Sequence, residues 1–381
     1  MRIVIATSYI LDAPPDTSLQ AMMHNLAAAY RDLGHDVVLA WSRSTDLPRL
    51  DQWLADVSVV RLGGKFCRSY IARVIWTFAG ALAMLKGADF VQLYISPASL
   101  IDCALWLACK LRGVPTAGMI WGMGEGSRPR EATVADRVFM ALFLPRLRWT
   151  STLSSFGADY VRASLPPVLS DNLAVIPNGI DARRMQNALL EAPEDAASRY
   201  VLCPALLRPC KGIDVLLMAW RGLCEEIEGV NLRLVGGDLF RDHYRRFADA
   251  LRISHRVVFE GRVAREELWR LMRHSLFCVL PSRFEIFGLS ILEAMALGKA
   301  VIATETGPRD YIEDGVSGLL VPPGSVERLR AAMSRLLHDE PLRQRLGRKA
   351  LGVSHSHRWE DIAFKYIEMY NTPVGRRVVG N

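Results

Sequence analysis

The chain has 381 residues, 50% of them hydrophobic and 23% charged, with a formal net charge of +7. That length exceeds one ordinary core and fits two domains of average size, and with no low-complexity tract and no repeat at solenoid spacing the sequence predicts a globular chain throughout. Divided at Ser170, the first part carries 17 basic against 13 acidic residues and the second 30 against 27, a spread excess of +4 and +3 that argues against a dedicated nucleic-acid domain.

In chain order, RIVIAT at 2–7 reads as a first buried strand. Its apolar run is too short for a signal peptide. LQAMMHNLAAAYRDLG follows with helical spacing, then the strand HDVVLAW, and later the strand ADFVQLYIS, the helix SLIDCALWLACKLRG and the strand VPTAGMIW. Strands and helices that alternate in this way predict a parallel, doubly wound α/β sheet. Pro166 and Pro167 mark a hinge, and the alternation begins again with LAVIPNGI, RYVLCPALL, the helix DVLLMAWRGLCEEI, then NLRLVGG, RVVFEG, LFCVLPS, KAVIATE and GLLVPP. The expected domains are 1–168 and 169–358, with a helix at about 359–375 read as packing back on the first domain. No run of about 18 uncharged apolar residues predicts a membrane span. Seven cysteines form no CxxC pair, which fits a reduced cytoplasmic compartment, buried thiols and no zinc site.

In open parallel sheets, ligands bind beyond the carboxyl ends of the strands, so the loops that follow LFCVLPS and RYVLCPA carry the chemistry. After LFCVLPS the loop SRFEIFG leads into the helix SILEAMALG, and a helix start offers free N–H groups and a positive dipole end to an anion. Gly288 permits close approach of a ligand to the backbone there. Glu285 lies in that loop and Glu293, eight positions on, lies among Ile291, Leu292, Ala294 and Met295. A carboxylate in such surroundings needs a partner. Two stay open from spacing: sugar hydroxyls, or an ion pair with Arg283 or Arg309. After RYVLCPA, Arg208 and Lys211 stand three apart around Pro209 and before Gly212, so both cations can face one phosphate.

From Ile176 to about Gly324 the sequence resembles the retaining glycosyltransferases of family 4, which have the GT-B fold and an E-x7-E motif. The matching pieces are IPNGID, Arg208 with KG at 211 and 212, LRLVGG, VVFEGRV, PSRFEIFGLSILEAMALGKAVIAT and DYIEDGVSGLLVPPG, in that order. The resemblance implies two Rossmann-like domains facing across a cleft. By it, Glu293 would hold the ribose hydroxyls of a nucleotide-sugar and Glu285 would contact the donor sugar. Arg208 and Lys211 would neutralise the diphosphate, helped by the amides of Gly288 and Leu289. Phe287, Val263, Gly236 and Gly307 would complete the donor site. No metal and no cofactor are expected, since no DxD-like pair occurs in a suitable loop and the two cations can carry the leaving-group charge.

The first half departs from that family. Its first loop reads YILDAPPDTSLQ, with Asp16 and Thr17 where relatives have paired glycines that touch the diphosphate. Trp121 stands where many relatives have a histidine, as a stacking surface for a sugar or as a core tryptophan, and Glu125 keeps an acidic place. The GGxxE block of relatives is Gly307, Pro308, Arg309 and Asp310, which loses one backbone N–H at the proline. The expected partners are a nucleotide-sugar donor and a saccharide or lipid-linked saccharide acceptor, with no nucleic acid. CRSYIARVIWTF and DRVFMALFLPRLRW mix arginine with large apolar residues and can either pack as ordinary helices or lie on the anionic inner face of the plasma membrane. The rival readings are a GT-B nucleotide-sugar epimerase and a nucleotide-binding scaffold with a degenerate site.

Overall fold

The computed structural model describes residues 1–7, 18–41, 57–62, 70–95, 99–120, 142–164, 173–190, 199–238, 240 and 242–372. These fall into two compact units. The first holds the described residues up to Gly179 together with the chain from Trp359, and the second runs from Ile180 to Arg358.

The first unit is one all-parallel sheet in the order β3-β2-β1-β4-β5-β6-β7. Its strands are β1 (Arg2–Thr7), β2 (Asp36–Trp41), β3 (Ser58–Arg61), β4 (Phe90–Ile95), β5 (Thr116–Ile120), β6 (Trp149–Thr152) and β7 (Leu173–Val175). The crossovers are α1 (Ser18–Asp32), α2 (Tyr70–Met84), α3 (Leu100–Arg112) and α4 (Ser155–Ser164). All six residues of β4 are buried, as a central strand covered on both faces requires. On α3, the Ser99 hydroxyl accepts from the Asp102 amide at its start and Gly113 ends it in the left-handed region, so the stop signal of the sequence is the physical cap.

LAVIPNGI does not open the second sheet. Its first three residues form β7 and pair with β6, which moves the join between the sheets past the strand. The C-terminal helix α12 (Trp359–Asn371) lies against β4 and α1. The Tyr370 ring stacks on Phe90, and both the Tyr370 and Tyr30 hydroxyls donate to Gln92 Oε1, at 2.7 and 3.0 Å. Burial pushes both phenols well above their ordinary value.

The second unit is also all-parallel, in the order β10-β9-β8-β11-β12-β13. These strands are β8 (Arg199–Pro204), β9 (Val230–Val235), β10 (Val257–Gly261), β11 (Cys278–Leu280), β12 (Val301–Thr304) and β13 (Leu319–Val321). Around them lie α5 (Ala182–Leu190), α6 (Ile213–Arg221), α7 (His243–Ala250), α8 (Arg265–His274), α9 (Leu289–Ala296), α10 (Val326–His338) and α11 (Glu340–Ser354). Counted from β8, the strand order is 3-2-1-4-5-6, the doubly wound dinucleotide-fold order, and its direction reverses between β8 and β11. Ligands of such sheets sit beyond the strand ends at that reversal.

Among the described residues six cysteines are free, and burial pushes the thiols of Cys109 and Cys278 up to about 12 and about 11. No helix among the described residues is long and apolar enough to cross a membrane.

Candidate functional site

The two loops that leave the reversal point are 205–212 after β8 and 281–288 after β11, and backbone bonds join them. Pro209–Lys211 forms a single 3-10 turn whose Cys210 carbonyl accepts from the amides of Arg283 and Phe284, at 2.8 and 3.2 Å. Gly212 closes the turn at φ 65°, and a Cβ there would stand 2.1 Å from the Pro281 carbonyl oxygen, so only glycine lets the loops approach this closely. The second loop is further fixed by Arg283, whose two Nη atoms donate to both oxygens of Asp214 at 2.6 and 2.7 Å. Burial raises the Asp214 carboxyl, but those bonds and the adjacent positive charge outweigh it and hold the group below its ordinary value.

On this frame Lys211 Nζ donates to Glu285 Oε2 at 2.6 Å, with side chains 22 and 15% exposed. Arg208 is half-buried in the extended residue just before the turn. Glu285 is held from behind as well, since its carbonyl accepts from the Gly307 amide at 2.8 Å. Gly288 at φ 82° precedes α9, which begins at Leu289, and the Tyr311 hydroxyl donates to the carbonyls of Phe287 and Gly288, at 2.8 and 3.0 Å. The Phe287 ring packs against Tyr311 and His357. Gly307 opens a 3-10 turn, Gly307–Asp310, in which Pro308 occupies an early position where a missing N–H leaves no bond unmade. Thus Lys211, Glu285, Gly288 and Gly307 come together at the start of α9. Gly236 follows β9, its amide donating to the Gly261 carbonyl at 2.8 Å, and Val263 lies half-buried between β10 and α8.

Glu293 is 4% exposed, and its partners differ from those that spacing suggested. Arg283 is taken by Asp214, and Arg309 is exposed on the 3-10 turn. The carboxylate instead accepts at Oε1 from Arg265 Nη2 and from Trp269 Nε1, the latter at 3.1 Å. Arg265 and Trp269 stand four apart on one face of α8, a spacing visible in REELWRLMRH, but nothing in that spacing points to a carboxylate 28 positions away. Asp214, Tyr311, Arg265 and Trp269 are the residues of this site that sequence reasoning did not single out. Asp16, Thr17, Trp121, Glu125 and the proline pair at 166–167 lie outside the described residues. Among the described residues no group of three His, Cys, Asp or Glu side chains could hold a metal ion.

A helix start, a fixed lysine and an arginine three residues before that lysine suit an anion such as a diphosphate, and carboxylates such as those of Glu285 and Glu293 suit hydroxyl donors. The chain as a whole is similar to known proteins. The domain family described as Glycosyl transferases group 1 matches residues 190–352, and the Glycosyl transferase 4-like domain matches residues 19–179. The phosphatidyl-myo-inositol mannosyltransferase of Mycolicibacterium smegmatis is 30% identical over 98% of this chain and 95% of its own length. The uncharacterized glycosyltransferase MJ1178 of Methanocaldococcus jannaschii is 28% identical over 56% of this chain, and the match spans only 57% of that relative. The structure of HepE from Anabaena, solved in complex with UDP, superposes with a TM-score of 0.77 at 19% identity, covering 97% of this chain and 99% of that one. With two domain families in this order and a relative matched along nearly its whole length, the chain belongs to the family 4-like glycosyltransferases of the GT-B fold.

Proposed function

We propose that this glycosyltransferase moves a sugar, with retention and without a metal ion, from a nucleotide diphosphate sugar to a glycan or lipid-linked saccharide in bacterial polysaccharide or glycoconjugate biosynthesis. One observation carries the reading: the Lys211–Glu285 pair stands at the amide end of α9, at the reversal point of the second sheet. In the proposed step the bond from anomeric carbon to phosphate oxygen breaks while the acceptor oxygen bonds to the same face of that carbon. The acceptor proton passes to the departing phosphate oxygen, so no separate base is required. Negative charge grows on the diphosphate, where Arg208, Lys211 and the amides of Gly288 and Leu289 stabilise it. Glu285 stabilises the positive character that grows on the sugar, and Glu293 takes the ribose hydroxyls. HepE, of the same fold, was solved with UDP and with UDP-glucose, and the mannosyltransferase relative is named for a lipid acceptor, which supports the donor and acceptor classes.

The proposed place of action is the cytoplasmic face of the plasma membrane. Support comes from α2 and α3, which pack side by side and leave Ile71, Ile75 and Trp76 on one and Leu107 and Leu111 on the other well exposed, beside Lys110 and Arg112.

The test is release of nucleoside diphosphate from UDP-, GDP-, dTDP- and ADP-sugars with EDTA present, by the wild type and by Glu293→Ala. Turnover of one donor that survives EDTA and is lost in the variant is the expected result. Binding of no nucleotide at all would turn the reading toward a scaffold with a degenerate site, and turnover abolished by EDTA would overturn metal independence.

A further inference from the structure

Two ion pairs of the second unit use their carboxylates differently. Arg283 takes both oxygens of Asp214, the closed arrangement of a structural pair. At Glu293, both hydrogen bonds from described residues fall on Oε1, although this carboxylate is the more buried, with side-chain exposure of 5% against 32%. A deeply buried carboxylate that spends one oxygen on an arginine and an indole keeps the second as an acceptor for something else.

The arginine is itself held in place. Its guanidinium lies 5.6 Å from the centre of the Trp269 ring, and that of Arg184 lies 5.5 Å from the same ring. Arg184 in turn donates from Nε to Glu266 at 3.0 Å, next in sequence to Arg265, and its amide donates to the Asp181 carboxylate at 3.0 Å. One chain of contacts therefore runs from α5 through the start of α8 to Glu293 on α9.

We propose that Arg265 is a positioning residue for donor binding: with Trp269 it occupies Glu293 Oε1 and orients the carboxylate so that Oε2 receives the ribose hydroxyls. The proposal rests on Glu293 being the ribose carboxylate. In this role Arg265 would touch no part of the donor, and its loss would act only through Glu293.

That distinction sets the test. Binding of UDP, GDP and ADP is measured by calorimetry, alongside the 2′,3′-dideoxy form of each, for the wild type, Arg265→Gln, Arg265→Lys and Glu293→Gln. A hydroxyl bonded to a charged group predicts that the wild type prefers the ribose form by about 10- to 100-fold. In Arg265→Gln that preference should fall below about threefold while the dideoxy form binds within about twofold of wild type, and Arg265→Lys should recover part of it. Should Arg265→Gln fold poorly, Arg265→Lys carries the test on the same ratio, which is then intermediate. A preference lost in Glu293→Gln but kept in both Arg265 variants overturns the positioning role and leaves the ribose role of Glu293 standing. Equal weakening of both nucleotide forms makes Arg265 a merely structural contact and also overturns the proposal. No ribose preference in the wild type, its persistence in Glu293→Gln, or no binding of any nucleotide removes the ribose reading and the proposal with it.

Discussion

Replacing Gly212 by alanine should loosen the joint between the two donor loops, and the size of the effect follows from the geometry. Gly212 has φ 65° and Gly229 has φ 70°, so alanine at either carries the left-handed backbone strain, about 1 kcal/mol. At Gly229 a Cβ meets nothing within 4 Å, whereas at Gly212 it meets the Pro281 carbonyl oxygen at 2.1 Å. Relief at Gly212 requires a backbone shift of roughly 1 Å or more to reach ordinary contact. Such a shift breaks or stretches the bonds of the Arg283 and Phe284 amides to the Cys210 carbonyl, each worth about 1 kcal/mol net. The expected loss is therefore about 3–4 kcal/mol for Gly212→Ala against about 1 for Gly229→Ala. For a unit of this size that is a fall of roughly 6–16 °C against roughly 2–4 °C in the melting of the second unit, read by calorimetry. Nucleoside diphosphate binding should weaken in the first variant and stay unchanged in the second, because Lys211 adjoins the displaced residue. Equal melting shifts for the two variants would refute the close approach of the loops.

Three further outcomes follow. Lys211→Ala should lower nucleoside diphosphate release about 10²-fold or more in kcat, since the cation is fixed where leaving-group charge grows, and a change confined to KM would contradict that role. Asp214→Asn should destabilise the second unit by about 1–2 kcal/mol at pH 7 in urea unfolding, allowing for partial solvent screening. Because the folded carboxyl lies below its ordinary value, this stabilisation is complete above about pH 4 and is lost as the pH falls through the folded value, so the gap between wild type and variant should close in acid. Trp76→Glu combined with Ile75→Glu should reduce co-sedimentation with phosphatidylserine-containing vesicles and leave nucleotide binding intact.

Much of the fold is legible because several strands are largely buried and read as mainly apolar runs: RIVIAT, FVQLYI, VIAT and RYVLCP are strands at the expected places. β6 escaped because WTST is polar apart from its tryptophan, and β3 because SVVR has only two apolar residues, between a serine and an arginine. α6 stops at Arg221 rather than continuing through Glu225 and Glu226, since Gly222 ends it. At the site, the loop residues were legible from the strand-turn-helix pattern, and Gly288 does stand at the helix start. The partner of Glu293 was not, because spacing suggested Arg283 or Arg309 and only the packing of α8 on α9 selects Arg265. The structural role of Arg283 was hidden for the same reason, its carboxylate lying 69 positions earlier.

A crystal structure of the chain with the tightest-binding nucleoside diphosphate tests the donor site most directly. The diphosphate is expected at the start of α9, within hydrogen-bond reach of Lys211 and the amides of Gly288 and Leu289, and the ribose hydroxyls on Glu293. A nucleotide bound away from α9, or one whose ribose leaves Glu293 paired only with Arg265 and Trp269, would contradict that placement.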